Sequence, residues 1–219
     1  MYFRVLHNQA SGFTSYLLGD ATRNEAVLID PRIDDVAVTR AILKDQRLRL
    51  SAILFSHDHG LLEDESSHNE PSVNSAVLAP YESVGDGGVQ RLNGLDTDLL
   101  TFGDEHLRII KTPGHTLNCR SFLWRDRLFC GDVLTVDSCP HQPRPISADH
   151  LWNSVNQKIF ALPSEVLLFS GHTKQARFLS SVLEQRLWHP WFSGATRDIF
   201  LARVSDKSNI DLSMQSNPY

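Results

Sequence analysis

The sequence predicts an α/β fold in which two layers of sheet carry helices on the outside. Three observations lead there. Short apolar runs closed by turn residues read as strands. Their order along the chain is strands, a helix, strands again and then helices. Four strands end in a small or turn residue followed by histidine or aspartate. Strand ends of that kind converge on one edge of a sheet, where α/β architectures place their chemistry.

Tyr2–Leu6, Thr14–Leu18 and Ala26–Ile29 are the opening strands, the third closing in Asp30-Pro31. From Asp34 the pattern becomes helical: Val36, Ala37, Ala41, Ile42 and Leu43 recur at the right spacing, with Asp34 or Asp35 available as N-cap. Ser51–Phe55 is a buried strand that stops at Ser56-His57-Asp58-His59-Gly60. Leu61 to Ser75 is polar and irregular, a surface excursion; Ala76–Ala79 is a short strand and Gly85–Gly88 a loop. Leu107–Lys111 runs into Thr112-Pro113-Gly114-His115. Ser121–Trp124 and Leu128–Cys130 form a hairpin around Arg125-Asp126-Arg127, with Gly131-Asp132 directly beyond. Asp149–Ala161 is a helix whose Leu151, Trp152, Val155, Ile159 and Phe160 share a face. Val166–Phe169 is a strand ending in Ser170-Gly171-His172, Ala176–Leu187 is the last long helix, and the polar tail from Ser205 is expected to fray. No repeat, low-complexity tract or linker divides the chain, so residues 1–219 read as one domain.

With 41% hydrophobic and 21% charged residues, wholesale disorder is excluded. Twenty-one basic against 26 acidic residues leave a formal charge of −5, which argues against a nucleic-acid partner. No apolar run approaches the ~18 residues of a membrane-spanning helix. Cys119, Cys130 and Cys139 form no CxxC pair and leave one thiol over in any disulfide scheme. Met1-Tyr2-Phe3-Arg4 lacks the basic-then-apolar layout of a secretory signal. The expectation is a reducing, cytoplasmic setting. Trp188, Pro190, Trp191 and Phe192 form an aromatic cluster, read as core in preference to a patch for a homodimer.

Ten histidines are the compositional oddity. Imidazoles and carboxylates are the standard nitrogen and oxygen ligands of borderline divalent metals. His57 and His59, two apart, point to one side if the chain is extended there. Singly, each motif also reads as an ordinary loop histidine or a Gly-Asp turn. Together, His57/His59, His115, Asp132 and His172 at four strand ends are an improbable coincidence for unrelated loops.

The order HxH, Thr-Pro-Gly-His, Gly-Asp, Gly-His resembles the metallo-β-lactamase superfamily. It is most similar to the persulfide dioxygenase (sulfur dioxygenase) branch, with glyoxalase II as hydrolytic cousin. Phe13-Thr14-Ser15-Tyr16-Leu17-Leu18-Gly19-Asp20, Glu25-Ala26-Val27-Leu28-Ile29-Asp30-Pro31, Asn153-Ser154-Val155 and Lys158-Ile159-Phe160-Ala161-Leu162-Pro163 favour that branch. The resemblance implies an αββα sandwich with the metal at one rim of the two sheets. It also implies one Fe(II) held by His57, His115 and Asp132, with three positions left open for a low-molecular-weight persulfide, such as glutathione persulfide, and O₂. His59 and His172 then serve as catalytic pocket groups that orient ligands or handle protons.

Two departures from the family pattern bear on mechanism. In the usual HxHxDH motif an Asp-His half serves a second metal; reading straight on from His57 and His59, those positions are Leu61 and Leu62. A second registration deletes two residues and lets Asp58-His59 stand for the Asp-His half. The ungapped one is preferred because the following loop is not shortened, and His57 is the first histidine in both. A two-metal hydrolytic centre thereby loses ligands, whereas the two-histidine, one-carboxylate triad stays whole. After Asp132, Val133–Ile146 reads VLTVDSCPHQPRPI in place of a Gly-Arg-Thr-Asp-like stretch. Arg144 is the candidate there for a glutathione carboxylate. Cys139 and His141 have no assigned part, and Cys119 and Cys130 read as small buried hydrophobes. The leading reading is a mononuclear non-haem Fe(II) dioxygenase that yields sulfite. The alternatives are a hydrolase, a thioesterase or lactonase, running on one Zn(II) bound by His57, His59 and His115, or a member that binds metal or thiol without catalysis.

Overall fold

The structure, a computed structural model, describes residues 1–57, 90–91, 98–173 and 177–206. Five strands make the first sheet: β1 (Tyr2–His7), β2 (Thr14–Asp20), β3 (Glu25–Ile29), β4 (Arg49–Leu54) and the two-residue β5 (Gln90–Arg91), in that spatial order. Helix α1 (Val36–Asp45) crosses between β3 and β4, which lie parallel. The second sheet has six strands: β6 (Leu99–Phe102), β7 (Glu105–Lys111), β8 (Arg120–Trp124), β9 (Arg127–Gly131), β10 (Leu167–Ser170) and β11 (Leu179–Ser181). Their order is β11-β10-β9-β8-β7-β6. Helices α2 (Ala148–Ser154), α3 (Val182–Trp188) and α4 (Arg197–Ser205) follow the strands of this half.

Side-chain parity sorts the strands into layers. In β2 and β3, Tyr16, Leu18, Val27 and Ile29 face inward, where they meet Phe102, Leu107, Ile109, Phe122, Trp124, Phe129 and Phe169 of the other sheet. Their neighbours Leu17, Ala26 and Leu28 face outward and are covered by Leu43 of α1. On the far side, Leu128, Cys130 and Leu168 pack against Leu151, Val155, Val182 and Phe200. Three apolar interlayers thus separate four layers, the αββα sandwich the sequence implies. Leu50 and Ala52 share a parity yet face opposite layers. The reason is a bulge: Ala26 pairs with Leu50 and Val27 with Ala52, which leaves Ser51 as the extra residue.

Several expectations need correction. The buried face of α1 is Thr39 and Leu43, while Ala37 and Ala41 are exposed. Asp35 makes no capping bond; its carboxylate pairs with the Arg32 guanidinium at 2.9 Å. The helix expected over 149–161 is α2 followed by a wide π turn, Val155–Ile159. The helix expected from Ala176 begins only at Val182. Leu179–Ser181 is instead strand β11, because β10 needs an antiparallel partner for Leu167–Phe169. Ser181 then starts α3, its Oγ accepting from the Glu184 N–H at 3.2 Å. Strand β6 and helix α4 were not anticipated. The aromatic cluster divides: Phe192 is buried and stacks on Phe200 at 4.7 Å, while Trp188 is 77% exposed. The tail expected to fray from Ser205 starts later, since Ser205 is the last residue of α4; the rest of it from 207, with the expectations for Leu61–Ser75, Ala76–Ala79 and Gly85–Gly88, lies outside the described residues.

Candidate metal centre

Four strand ends build one rim. Beyond β4 the chain continues through Phe55 and Ser56 to His57, and Ser56 is fixed on three sides. Its N–H donates to Asp30 Oδ1 (2.7 Å), its carbonyl accepts from the Arg120 N–H (2.7 Å), and its Oγ lies 2.8 Å from His57 Nδ1. The Arg120 bond ties the first sheet to the start of β8. Asp30 itself sits at the end of β3 in a left-handed conformation (φ 48°), and burial pushes its carboxyl up to about 6 against the pull of the Ser56 bonds.

His115 comes from the turn after β7 and is fully buried. Gly114 (φ 148°) lets α2 approach so closely that a Cβ there would lie 2.4 Å from Leu151 Cα. The loop after Asp132 closes over this turn: the Ile146 N–H donates to the His115 carbonyl, and the Gln142 carbonyl lies 3.1 Å from His115 Nε2. Burial lowers the His115 pKa and so favours the neutral ring, the form that has a lone pair to give.

Asp132 follows Gly131 at the end of β9 and is completely buried. Gly131 (φ 54°) is required twice over, since a Cβ would come 2.3 Å from Ser56 Oγ and the backbone is left-handed. His172, two residues past β10, lies 2.6 Å through Nδ1 from Asp132 Oδ2, with Phe13 edge-on to its ring at 4.5 Å. His57 Nε2 approaches the same oxygen at 3.5 Å, and the His57 and His115 ring centres are 4.9 Å apart. Burial by itself raises the Asp132 pKa. The imidazoles of His57, His172 and His115 more than offset it, and the carboxyl ends well below the usual carboxylate range.

One donor atom each from His57, His115 and Asp132 lies within 4.8 Å of the others, and the same holds for Asp132, Cys139 and His172. Asp132 Oδ1 is buried without a hydrogen-bond partner among the described residues. Two ring nitrogens and one carboxylate with a spare buried oxygen suit a borderline divalent metal. The residues present therefore fit a divalent metal.

Of the residues expected at the site, His57, His115, Asp132 and His172 come together. Arg144 is exposed on the loop over His115, its carbonyl accepting from Gln142 Nε2. His59 lies outside the described residues, as do Asp58, Leu61 and Leu62. Cys119 and Cys130 are buried as expected, and burial pushes their thiols up to about 11 and about 12. Ser56 and Cys139 went unassigned. The serine's position directly before the first histidine was the available signal, whereas nothing in the sequence brings Cys139 to Asp132.

No protein-family model matches the chain. The human protein named persulfide dioxygenase ETHE1, mitochondrial, is 32% identical over 198 residues, covering 85% of this chain and 74% of that protein. The crystal structure of ETHE1 from Myxococcus xanthus superposes with a TM-score of 0.75 at 28% identity, covering 94% of this chain and 91% of that one. A metallo-β-lactamase from Staphylococcus aureus, at 20% identity and TM-score 0.71, covers this whole chain and 73% of its own; it is evidence of the fold alone.

Proposed function

Because the chain belongs to the persulfide dioxygenase branch of the metallo-β-lactamase superfamily, we propose that it is a mononuclear iron dioxygenase acting on a small thiol persulfide. Glutathione persulfide is the representative substrate and sulfite the product, formed by one domain spanning the 219 residues. The reaction balances with one O₂ and one water. The terminal sulfur gives up four electrons and takes three oxygens, and the thiol leaves with a proton.

The observation that carries this reading is the cluster of His57, His115 and Asp132, one donor atom of each within 4.8 Å of the others, with Asp132 Oδ1 left without a hydrogen-bond partner among the described residues. These three residues would hold the metal. Iron bound there would supply the redox chemistry that oxidation of a persulfide by O₂ needs. The chain's part is positional and electrostatic. Ser56 fixes the His57 ring through Nδ1 and leaves Nε2 toward Asp132. His172 holds Asp132 through Oδ2, so that the carboxylate keeps one orientation. Phe13 and the loop over His115 keep bulk water from the buried side of the rim. His59 is the further pocket group, and Arg144 is the guanidinium that meets a glutathione carboxylate.

The test is expression with iron, metal analysis and O₂ uptake with glutathione persulfide. Iron near one per chain and persulfide-dependent O₂ consumption are expected, both lost in Asp132→Asn. Protein that takes up only zinc, hydrolyses S-lactoylglutathione and consumes no O₂ sinks the proposal. Because the histidine ligands must be neutral, iron is also expected to leave as pH falls below ~6.

A further inference from the structure

Behind the rim, on the outward face of the six-stranded sheet, a second hollow of about 70 Å³ opens beside β9, β10, β11 and α3. Thr135, Ser170, Arg177, Ser180 and Gln185 form its polar lining beside an apolar side that includes Leu168 and Phe178; among the described residues the lining has no carboxylate and none of the metal-centre residues. Thr135 Oγ1 and Ser170 Oγ are buried, and neither has a hydrogen-bond partner among the described residues. Ser170 as a whole is only 6% exposed. Buried hydroxyls in native proteins nearly always find a partner. Two that line one hollow therefore mark the place of something that accepts from both.

The chemistry of that something follows from the rest of the lining. Arg177 gives one amino group to Glu184 and carries further N–H donors. Gln185 offers an amide and Ser180 a hydroxyl. The donors outnumber the acceptors, the Arg177 guanidinium that stands among them shares its charge with Glu184, and the space suits several waters or one compact anion. We propose that this hollow binds a small inorganic oxyanion of the sulfite or sulfate type. The site does not depend on the reaction proposed above; under that reading, the product belongs to the class it accepts.

The experiment uses the iron-loaded full chain and a His57→Ala variant, with sulfate and sulfite as probes and chloride at matched ionic strength as control. Melting temperature and titration calorimetry are the readouts. Sulfate is expected to raise the melting temperature beyond chloride in both proteins. Ser170→Ala and Arg177→Gln should each weaken sulfate binding at least ~5-fold, as expected for one lost hydrogen bond to a charged group. Arg177 is exposed, so its replacement leaves folding intact. No rise beyond chloride means that water alone fills the hollow and overturns the proposal. A rise lost in His57→Ala places the anion at the metal centre and overturns it equally. So does binding that neither substitution weakens.

Discussion

Gly131→Ala tests how tightly the backbone sets the metal centre. Two separable penalties follow from the structure. Residue 131 has φ 54°, and holding an L-residue there costs about 1–2 kcal/mol. The added methyl would also stand 2.3 Å from Ser56 Oγ and 2.7 Å from Ser56 Cβ. Ser56 cannot retreat freely, because Asp30, Arg120 and His57 all hold it. Overpacking of this kind adds about 1–3 kcal/mol. The combined loss of about 3 kcal/mol corresponds to a fall of roughly 6–12 °C in melting temperature for a chain of this size. Gly194→Ala is the control: its φ is 62°, but a Cβ there meets nothing within 4 Å. It carries the backbone penalty alone, about 1 kcal/mol or roughly 2–4 °C. Differential scanning fluorimetry reads both, and metal titration reads the site. Displacing Ser56 disturbs the His57 ring and should weaken metal binding ~10–100-fold in Gly131→Ala and not in Gly194→Ala. Equal melting temperatures and equal metal affinities for the two variants would refute the argument.

Other outcomes follow from the same contacts. Ser56→Ala removes the hydroxyl beside His57 Nδ1 while keeping the backbone bonds, so metal affinity should drop ~10–100-fold with little change in the fold; unchanged affinity in a competitive chelator titration would deny the serine its positioning role. His189 is buried with Nε2 on the Leu134 carbonyl at 2.9 Å, and burial lowers its pKa. The unfolded chain therefore takes up the proton first. The stability contribution is complete above ~6.5 and is lost as pH falls from there toward the folded value. In metal-free protein, His189→Gln should flatten the decline of the urea midpoint over that window, and an unaltered slope would show that this ring is not the group responsible. Phe129, 1% exposed and in ring contact with Phe3, Tyr16 and Phe169, should cost about 3–5 kcal/mol when cut to alanine. Trp188→Ser should stay within about 0.5 kcal/mol, and urea unfolding distinguishes the two.

Sheet strands were readable because a short apolar run closed by turn residues is a local signal: Thr14–Leu18 and Ala26–Ile29, buried on both faces, announce themselves without help from the rest of the chain. Ser51 is the exception, since a bulge depends on the partner strand and leaves no mark in its own segment. The start of α3 was misplaced for a related reason. Leu179–Ser181 takes its conformation from β10, a long-range demand that outweighs the helical spacing of its side chains. At the rim, residue types and strand-end positions identified His57, His115, Asp132 and His172. What they could not supply was orientation: which oxygen of Asp132 faces His172, that Ser56 turns toward its own neighbour, or that Cys139 returns to within reach of the carboxylate.

His57 reaches the rim from the five-stranded sheet, whereas His115 and Asp132 arrive from the six-stranded one, and the Arg120–Ser56 bond stitches the two together beside them. The group of His57, His115 and Asp132 is completed only where the two sheets meet. The apolar interlayers, in contrast, are complete without an ion. An ion held by all three residues would seat only once the sheets have docked, and it would act as a clasp across the seam, resisting separation of the halves far more than unravelling of any one helix.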